Sequence, residues 1–275
     1  MGAIALGETV IPHHAADMLG TFLNAAEQLG KQAAAMHETL AANQDDPAFA
    51  PEPFTSLYQR SLYQYLRNLV GQSLLRLQAA HKHLPTDLQP LAHQVIHSQD
   101  SILAMLGTIL QTKIESMRIR CHGDLGLERV LYTGKDFIFV DFEGDPSRPP
   151  SERRLKRSPL RDVAGMVHSF DAVTRAAVNQ ERTCGAIYQP ELGGLSHYAS
   201  YFSHWSSVAF WHAYRARAQP SLLPPTTEET RILLTAFSIE RAVLAFNAAW
   251  RQPRAEVPAK LGAALDRIRV LSQRS

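Results

Sequence analysis

Apolar residues recur at helical spacing along most of this chain. Residues 15–42 are rich in Ala and Leu and run into Asn43-Gln44-Asp45-Asp46-Pro47. That cluster stops a helix, because Asn and Asp side chains compete for the backbone and proline donates nothing. Between 56 and 83, Leu62, Leu66, Leu69, Val70, Ser73 and Leu77 share one face, which marks a buried stripe. Residues 87–117 read as a third long helix that leads into Arg118-Ile119-Arg120. Val163, Met166, Val167, Phe170 and Val173 predict a helix beginning near Arg161. Further helices are expected over 189–216, 226–251 and 256–272.

One segment breaks the period. Val130–Thr133 and Asp136–Val140 are dense in β-branched and aromatic residues, and Gly134-Lys135 lies between them. Gly supplies the positive φ that a two-residue hairpin turn needs. A hairpin carries the chain out and back, so His122-Gly123-Asp124 before it and Asp141 after it can face one cleft. Two carboxylates so placed suit phosphoryl transfer: one orients or deprotonates a hydroxyl, the other holds Mg²⁺ against ATP phosphates. The expected fold class is mainly α with a small β-hairpin insert. One domain is expected over 1–275, with 118–160 as its catalytic-type loop, hairpin and metal-aspartate segment.

His122-Gly123-Asp124, Asp141-Phe142-Glu143-Gly144-Asp145-Pro146, the run from Ser151 to Met166, and His168-Ser169-Phe170 together resemble the maltokinase family. That family includes the maltokinase modules fused to trehalose synthases. Phe49 to Phe54 and Arg60 to Gln64 extend the likeness, which covers roughly 20–250 and is strongest from 118 to 170. The resemblance implies the C-terminal lobe of an aminoglycoside-phosphotransferase-like kinase fold, with Mg²⁺ and ATP as cofactors. It implies transfer of the γ-phosphate to the anomeric hydroxyl of maltose or another α-glucoside, in trehalose and glycogen metabolism. By the same resemblance Asp124 is the catalytic base beside His122, Asp141 is the metal ligand, and Asp162 braces the loop from behind. Glu143, Arg148 and Glu240 are candidate substrate or phosphate contacts.

Three departures from that pattern bear on activity. No Gly-x-Gly-x-x-Gly loop or strand-borne lysine precedes residue 118, and Lys31 is the only lysine in the first fifty residues. The N-terminal β-lobe is therefore expected to be absent from this chain. The metal-side Gln of the family loop is replaced by Arg129, a permanent cation without an acceptor atom, so it cannot ligate Mg²⁺. Arg129 is expected to pair with Asp124 or Asp141 as a disabling substitution. Gly126 stands where the family has a loop histidine. The sugar-contacting late helix, matched here to 240–253, keeps Glu240 but loses its tyrosines and second glutamate. Two readings follow. One is a maltokinase-like protein inactive or incomplete as this chain, its β-lobe supplied elsewhere. The other is a pseudokinase that binds or regulates a trehalose- or glycogen-metabolism enzyme.

Composition changes the picture little. At 275 residues and 45% hydrophobic content, the chain can build one large core or two small ones. A net charge of +2 calls for no nucleic-acid partner. Cys121 and Cys184 suit a reducing compartment, and the N-terminus lacks the pattern of a signal peptide. No apolar run is expected to reach the ~18 residues of a membrane span, so no membrane partner and a cytoplasmic location are expected. Arg148, Arg153, Arg154, Lys156, Arg157 and Arg161 form a basic stretch that either meets phosphates or an acidic partner, or is simply solvated. The aromatic belt from His197 to Tyr214 either stacks a sugar or packs a helix core. Cys121-His122 and His13-His14 lack zinc-site spacing.

Overall fold

The structure is a computed structural model, which describes residues 9–145, 148–184, 192–251 and 257–273. It is mostly helical, with two small antiparallel sheets. In chain order the elements are α1 (His13–Ala41), β1 (Glu52–Pro53), α2 (Ser56–Ala80), α3 (Gln89–His97), α4 (Gln99–Gly107), β2 (Met117–Arg118), β3 (Val130–Tyr132) and β4 (Phe137–Phe139). They continue as α5 (Pro150–Arg153), α6 (Leu160–Cys184), α7 (Leu192–Arg217), α8 (Thr227–Ala249) and α9 (Val257–Ser272). The chain forms two compact units, Ala3–Phe54 with Glu115–Thr230, and Thr55–Ile114 with Arg231–Ser275.

The first unit is organised by α1 against α7. Ala15, Leu19, Leu23, Ala26, Leu29 and Ala33 repeat every three or four residues, and all are buried. Gly30 permits the closest approach: a Cβ there would lie 2.3 Å from the Phe210 carbonyl oxygen. On α6, Val163, Met166, Val167 and Phe170 are buried, and Phe170 meets Phe210 edge-on at 6.0 Å. Val173, expected on the same face, is exposed, and Val178 is the next buried apolar residue. The aromatic belt packs at its C-terminal end, where Phe210, Trp211 and Tyr214 are core residues, while His197 and Tyr198 are exposed and Tyr201, Phe202, His204, Trp205 and His212 are half-buried.

In the second unit, α2 buries Leu62, Leu66, Val70, Leu74 and Leu77. Val95, Ile102, Leu106, Phe246, Leu265 and Ile268 are also buried there. The single helix expected over 87–117 is broken. At Ser98 the backbone leaves the helical path (φ −85°, ψ 5°), and its hydroxyl donates to the Val95 carbonyl at 2.8 Å. A serine offering the backbone an alternative partner is a recurrent cause of such breaks. After 3-10 turn Thr108–Leu110 the Gln59 amide caps the exit, donating to the Ile109 and Thr112 carbonyls, each at 2.6 Å. Gln59 also accepts the Ile114 N–H at 3.3 Å.

Among the described residues, helix α8 is the one long and apolar enough to be weighed as a membrane span. Its length and mean hydropathy of 1.5 pass the test for a span, but 72% of that window is buried inside the protein, as in a core helix.

The two sheets lie in the first unit. Glu52 and Pro53 pair with Arg118 and Met117, which places strand where the end of a helix was expected. Arg118 clamps that pair by donating to the Glu52 carboxylate at 2.6 Å. The hairpin β3–β4 has the expected register, Leu131 opposite Ile138. Its turn closes with Thr133 N–H donating to the Asp136 carbonyl at 2.9 Å, and Gly134 sits at φ 87°. Gln28 and Gln32 of α1 hold the Asp136 carboxylate at 2.9 and 2.8 Å, docking the hairpin tip onto α1.

Candidate active site

The loop from Ile119 to Asp124 is fixed from three sides. Ile119 exchanges two backbone hydrogen bonds with Arg157, each 2.9 Å. Gly123 takes φ 86°, a conformation glycine adopts without strain, and its carbonyl accepts from Arg161 at 3.0 Å. Behind the loop, the buried Asp162 carboxylate accepts the His122 N–H at 2.7 Å and the Gly123 N–H at 3.0 Å. His122 donates through Nε2 to the Val140 carbonyl at 2.8 Å, tying the loop to the strand before Asp141. Its Nδ1 is buried without a hydrogen-bond partner among the described residues.

Asp162 is itself held by a residue the sequence did not point to. His37 on α1 reaches it through Nε2 at 3.2 Å and Tyr214 on α7 through Nδ1 at 2.9 Å. With the proton assigned to Nε2, His37 donates to Asp162 and accepts from the Tyr214 hydroxyl. Burial alone pushes the Asp162 pKa up. The hydrogen bond from His37, the favourable electrostatics of the His37 and His122 rings and the Gly123 N–H together outweigh it and leave the carboxyl below its ordinary value. Burial, then the neighbouring Cys121 and Asp162, raises the Tyr214 pKa well above normal, so its hydroxyl keeps the proton it donates.

The hairpin delivers the second acid. Leu127–Arg129 forms a 3-10 turn after Gly126, and Val140 N–H donates to the Arg129 carbonyl at 3.1 Å. Asp141 follows at φ 65°, a left-handed conformation that is uncommon outside glycine and in which Asp is enriched. Arg129 lies between the acids: Nη1 is 3.2 Å from Asp141 Oδ2, and Nη2 is 3.4 Å from Asp124 Oδ2. Asp124 is 16% exposed, Arg129 27% and Asp141 48%. The expected pairing of Arg129 thus forms with both carboxylates at once. Glu128 folds back over Gly126, where a Cβ would lie 2.5 Å from its carboxylate oxygen. The loop histidine expected from the resemblance would need Glu128 to move.

This arrangement does not fit Mg²⁺. The ion needs oxygen ligands at about 2.1 Å in octahedral geometry. Here the space between the acids holds a guanidinium that offers donors only. The remaining candidates are scattered. Glu143 is exposed, and its carbonyl accepts from Arg153 at 3.2 Å. Arg148 lies 3.6 Å from Asp145 and 3.9 Å from Glu152. Glu240, in the second unit, is 1% exposed and accepts the Tyr65 hydroxyl at 2.8 Å.

His37, Cys121 and Asp162 also gather ligand-type atoms within 4.8 Å. Burial, followed by the Asp162 charge, raises the Cys121 pKa well above the ordinary thiol value. The thiol donates to the Arg157 and Ile119 carbonyls at 3.4 and 3.6 Å. Each of the three side chains thus already has hydrogen-bond partners in the loop and helix packing around it.

No protein-family model matches the chain. Among curated proteins it is similar to a glucosamine kinase of Streptacidiphilus jiangxiensis, 28% identical over 155 residues, which is 56% of this chain and 31% of that protein. Among solved structures it is similar to glucosamine kinase in crystal form A, with TM-score 0.66 and 20% identity. It is equally similar to a glucosamine kinase in complex with glucosamine, ADP and inorganic phosphate, with TM-score 0.67 and 20% identity. Each likeness covers 88% of this chain, and 52% and 50% of the respective solved chains. The chain thus spans about half the length of the solved relatives. It is homologous to a sugar kinase and has the fold of the corresponding half of one.

Proposed function

We propose that this chain is a sugar-kinase-type lobe that does not turn over by itself and serves as a sugar-binding or regulatory pseudokinase. The carrying observation is the guanidinium of Arg129 between Asp124 and Asp141, where the resemblance puts a cation. In this reading Asp124, His122 and Asp162 retain the geometry of a catalytic loop, while Asp141 no longer serves a metal. The acceptor sugar class is an aldose or short α-glucoside, with glucosamine suggested by the relatives and maltose by the sequence motifs. The titration that tests this adds Mg-ATP to the purified chain and then, separately, glucosamine and maltose. Heat from a sugar with none from the nucleotide supports the proposal. Magnesium-dependent nucleotide binding accompanied by phosphorylated sugar overturns it.

A second reading rests on the hairpin. Leu131 and Ile138 are cross-strand partners and are 56% and 51% exposed, an apolar pair on an outward face next to the acids. A nucleotide-covering lobe, whether it precedes this segment or lies on another polypeptide, would bury that pair and complete a maltokinase-like enzyme. Nucleotide binding that appears only when such a lobe is added, and that Leu131→Glu abolishes, would favour it.

A further inference from the structure

Within the second unit, three histidines meet where α2 hands over to α3. His81 opens the 3-10 turn His81–His83 that follows α2, and His93 and His97 lie on α3. Helix α3 turns Ala92 and Val95 inward, and both are fully buried. His93 and His97 are four residues apart, hence neighbours on the helix surface, and both are exposed. Their rings stack with centres 4.0 Å apart. The half-buried His81 ring is centred 6.3 Å from that of His93.

Two of the three rings are already oriented. His97 Nδ1 lies 2.8 Å from the His93 carbonyl oxygen, and His81 Nε2 lies 3.1 Å from the Gln89 carbonyl oxygen. A carbonyl only accepts, so each of those nitrogens carries a proton. In the neutral rings the lone pairs are then on His97 Nε2 and His81 Nδ1. Metal-binding imidazoles have this form, with the other N–H held by a carbonyl that fixes tautomer and ring plane. Gln89 also sets the spacing of turn and helix, since its side-chain amide donates to the carbonyl of the buried Leu84 at 3.0 Å. Zinc about 2.0–2.1 Å from each nitrogen needs ligating rings centred roughly 5 Å apart. That lies between the two spacings seen, and rotating the exposed His93 side chain opens the stack.

We propose that His81, His93 and His97 form a binding site for a divalent ion of the zinc class, which clips the end of α2 to α3. A donor set of three imidazoles suits Zn²⁺, Cu²⁺ or Ni²⁺, whereas Mg²⁺ and Mn²⁺ take oxygen ligands. Water completes the tetrahedron around zinc. The site shares no residue with the cluster of Asp124, Arg129 and Asp141, so it stands or falls independently of the pseudokinase reading.

The test is calorimetric titration of the full chain, free of any histidine tag, with zinc chloride near neutral pH. Zinc is expected to bind at one such site per chain, with affinity unchanged within twofold in excess magnesium chloride. His81→Gln, His93→Gln and His97→Gln should each weaken binding at least tenfold. Acidification to about pH 5 should do the same, since a protonated imidazole has no lone pair to give. His83→Gln removes an exposed imidazole of the same turn from outside the trio and is expected to leave affinity within twofold. Zinc should also raise the thermal midpoint of the parent, as a ligand of the folded state does, and not that of His93→Gln/His97→Gln. Circular dichroism establishes that each variant folds. His93 and His97 are exposed, so their variants keep the test decisive if His81→Gln does not fold. No zinc heat, displacement of zinc by magnesium, or a loss in His83→Gln equal to that in His93→Gln would overturn the proposal.

Discussion

Arg129 and Asp141 face each other across the mouth of the hairpin, Nη1 to Oδ2 at 3.2 Å, while the same guanidinium reaches Asp124. Without the guanidinium two carboxylates would confront one another. Arg129→Ala is expected to lower stability by about 1 kcal/mol in urea denaturation, a modest value because the group is partly solvated. In Arg129→Ala/Asp141→Asn much of that loss should return. Strict additivity of the two substitutions would show that the pair is not coupled.

Asp162 accepts from two backbone N–H groups and from His37, so Asp162→Asn replaces an acceptor-only group by one that presents donors to donors. A loss of about 3 kcal/mol is expected, as for breaking a buried charged network. An unchanged denaturation midpoint would contradict the bracing role.

The pH dependence follows from the same residue. Asp162 has a folded-state pKa below its unfolded value of about 3.9. Its contribution is therefore complete above that value and is lost as pH falls through the folded-state pKa. Glu52 behaves alike, lowered chiefly by its hydrogen bond from Lys156 and further by Arg118, against partial desolvation. Stability should fall steeply below about pH 4, less so in Glu52→Gln. A Glu52→Gln profile that parallels the parent through that range would contradict the assignment for Glu52.

Gly30 has no strain of φ, only crowding. A Cβ there would meet the Phe210 carbonyl oxygen at 2.3 Å and the Tyr214 nitrogen at 3.0 Å, both backbone atoms of α7. Gly30→Ala must push α1 from α7 and is expected to destabilise by about 3 kcal/mol, the upper range for overpacking. A neutral effect on the thermal midpoint would mean the two helices are less tightly apposed than described.

Burial and the adjacent Asp162 charge keep the Cys121 thiol protonated well above the ordinary range. Alkylation by iodoacetamide at pH 8, followed at Cys121 by peptide mass spectrometry, should be at least about tenfold slower in native protein than in urea. Equal rates would contradict the closed brace.

The pattern of apolar positions made most helices legible, because each long helix presents one buried stripe. It failed at Ser98, where a hydroxyl-to-carbonyl bond decides the break without altering hydrophobic spacing. It also failed at Met117–Arg118, whose strand character comes from pairing with residues more than sixty positions away. The hairpin, both acids and the Arg129 pairing were legible because turn chemistry and charge act locally. His37 and Tyr214 were not, since Asp162 meets them through the packing of α1 and α7 and no local motif marks them. Arg153 and Arg161 were visible only as members of a basic run; the Glu143 and Gly123 carbonyls that they reach come from folding.

The central claim is that a guanidinium occupies the place of a divalent ion. Manganese titration followed by electron paramagnetic resonance measures this directly, in the parent chain and in Arg129→Gln. The account predicts no ordered Mn²⁺ site in the parent, and one in Arg129→Gln at least tenfold tighter and dependent on Asp141. A Mn²⁺ ion bound to the parent chain and lost in Asp141→Asn would contradict it.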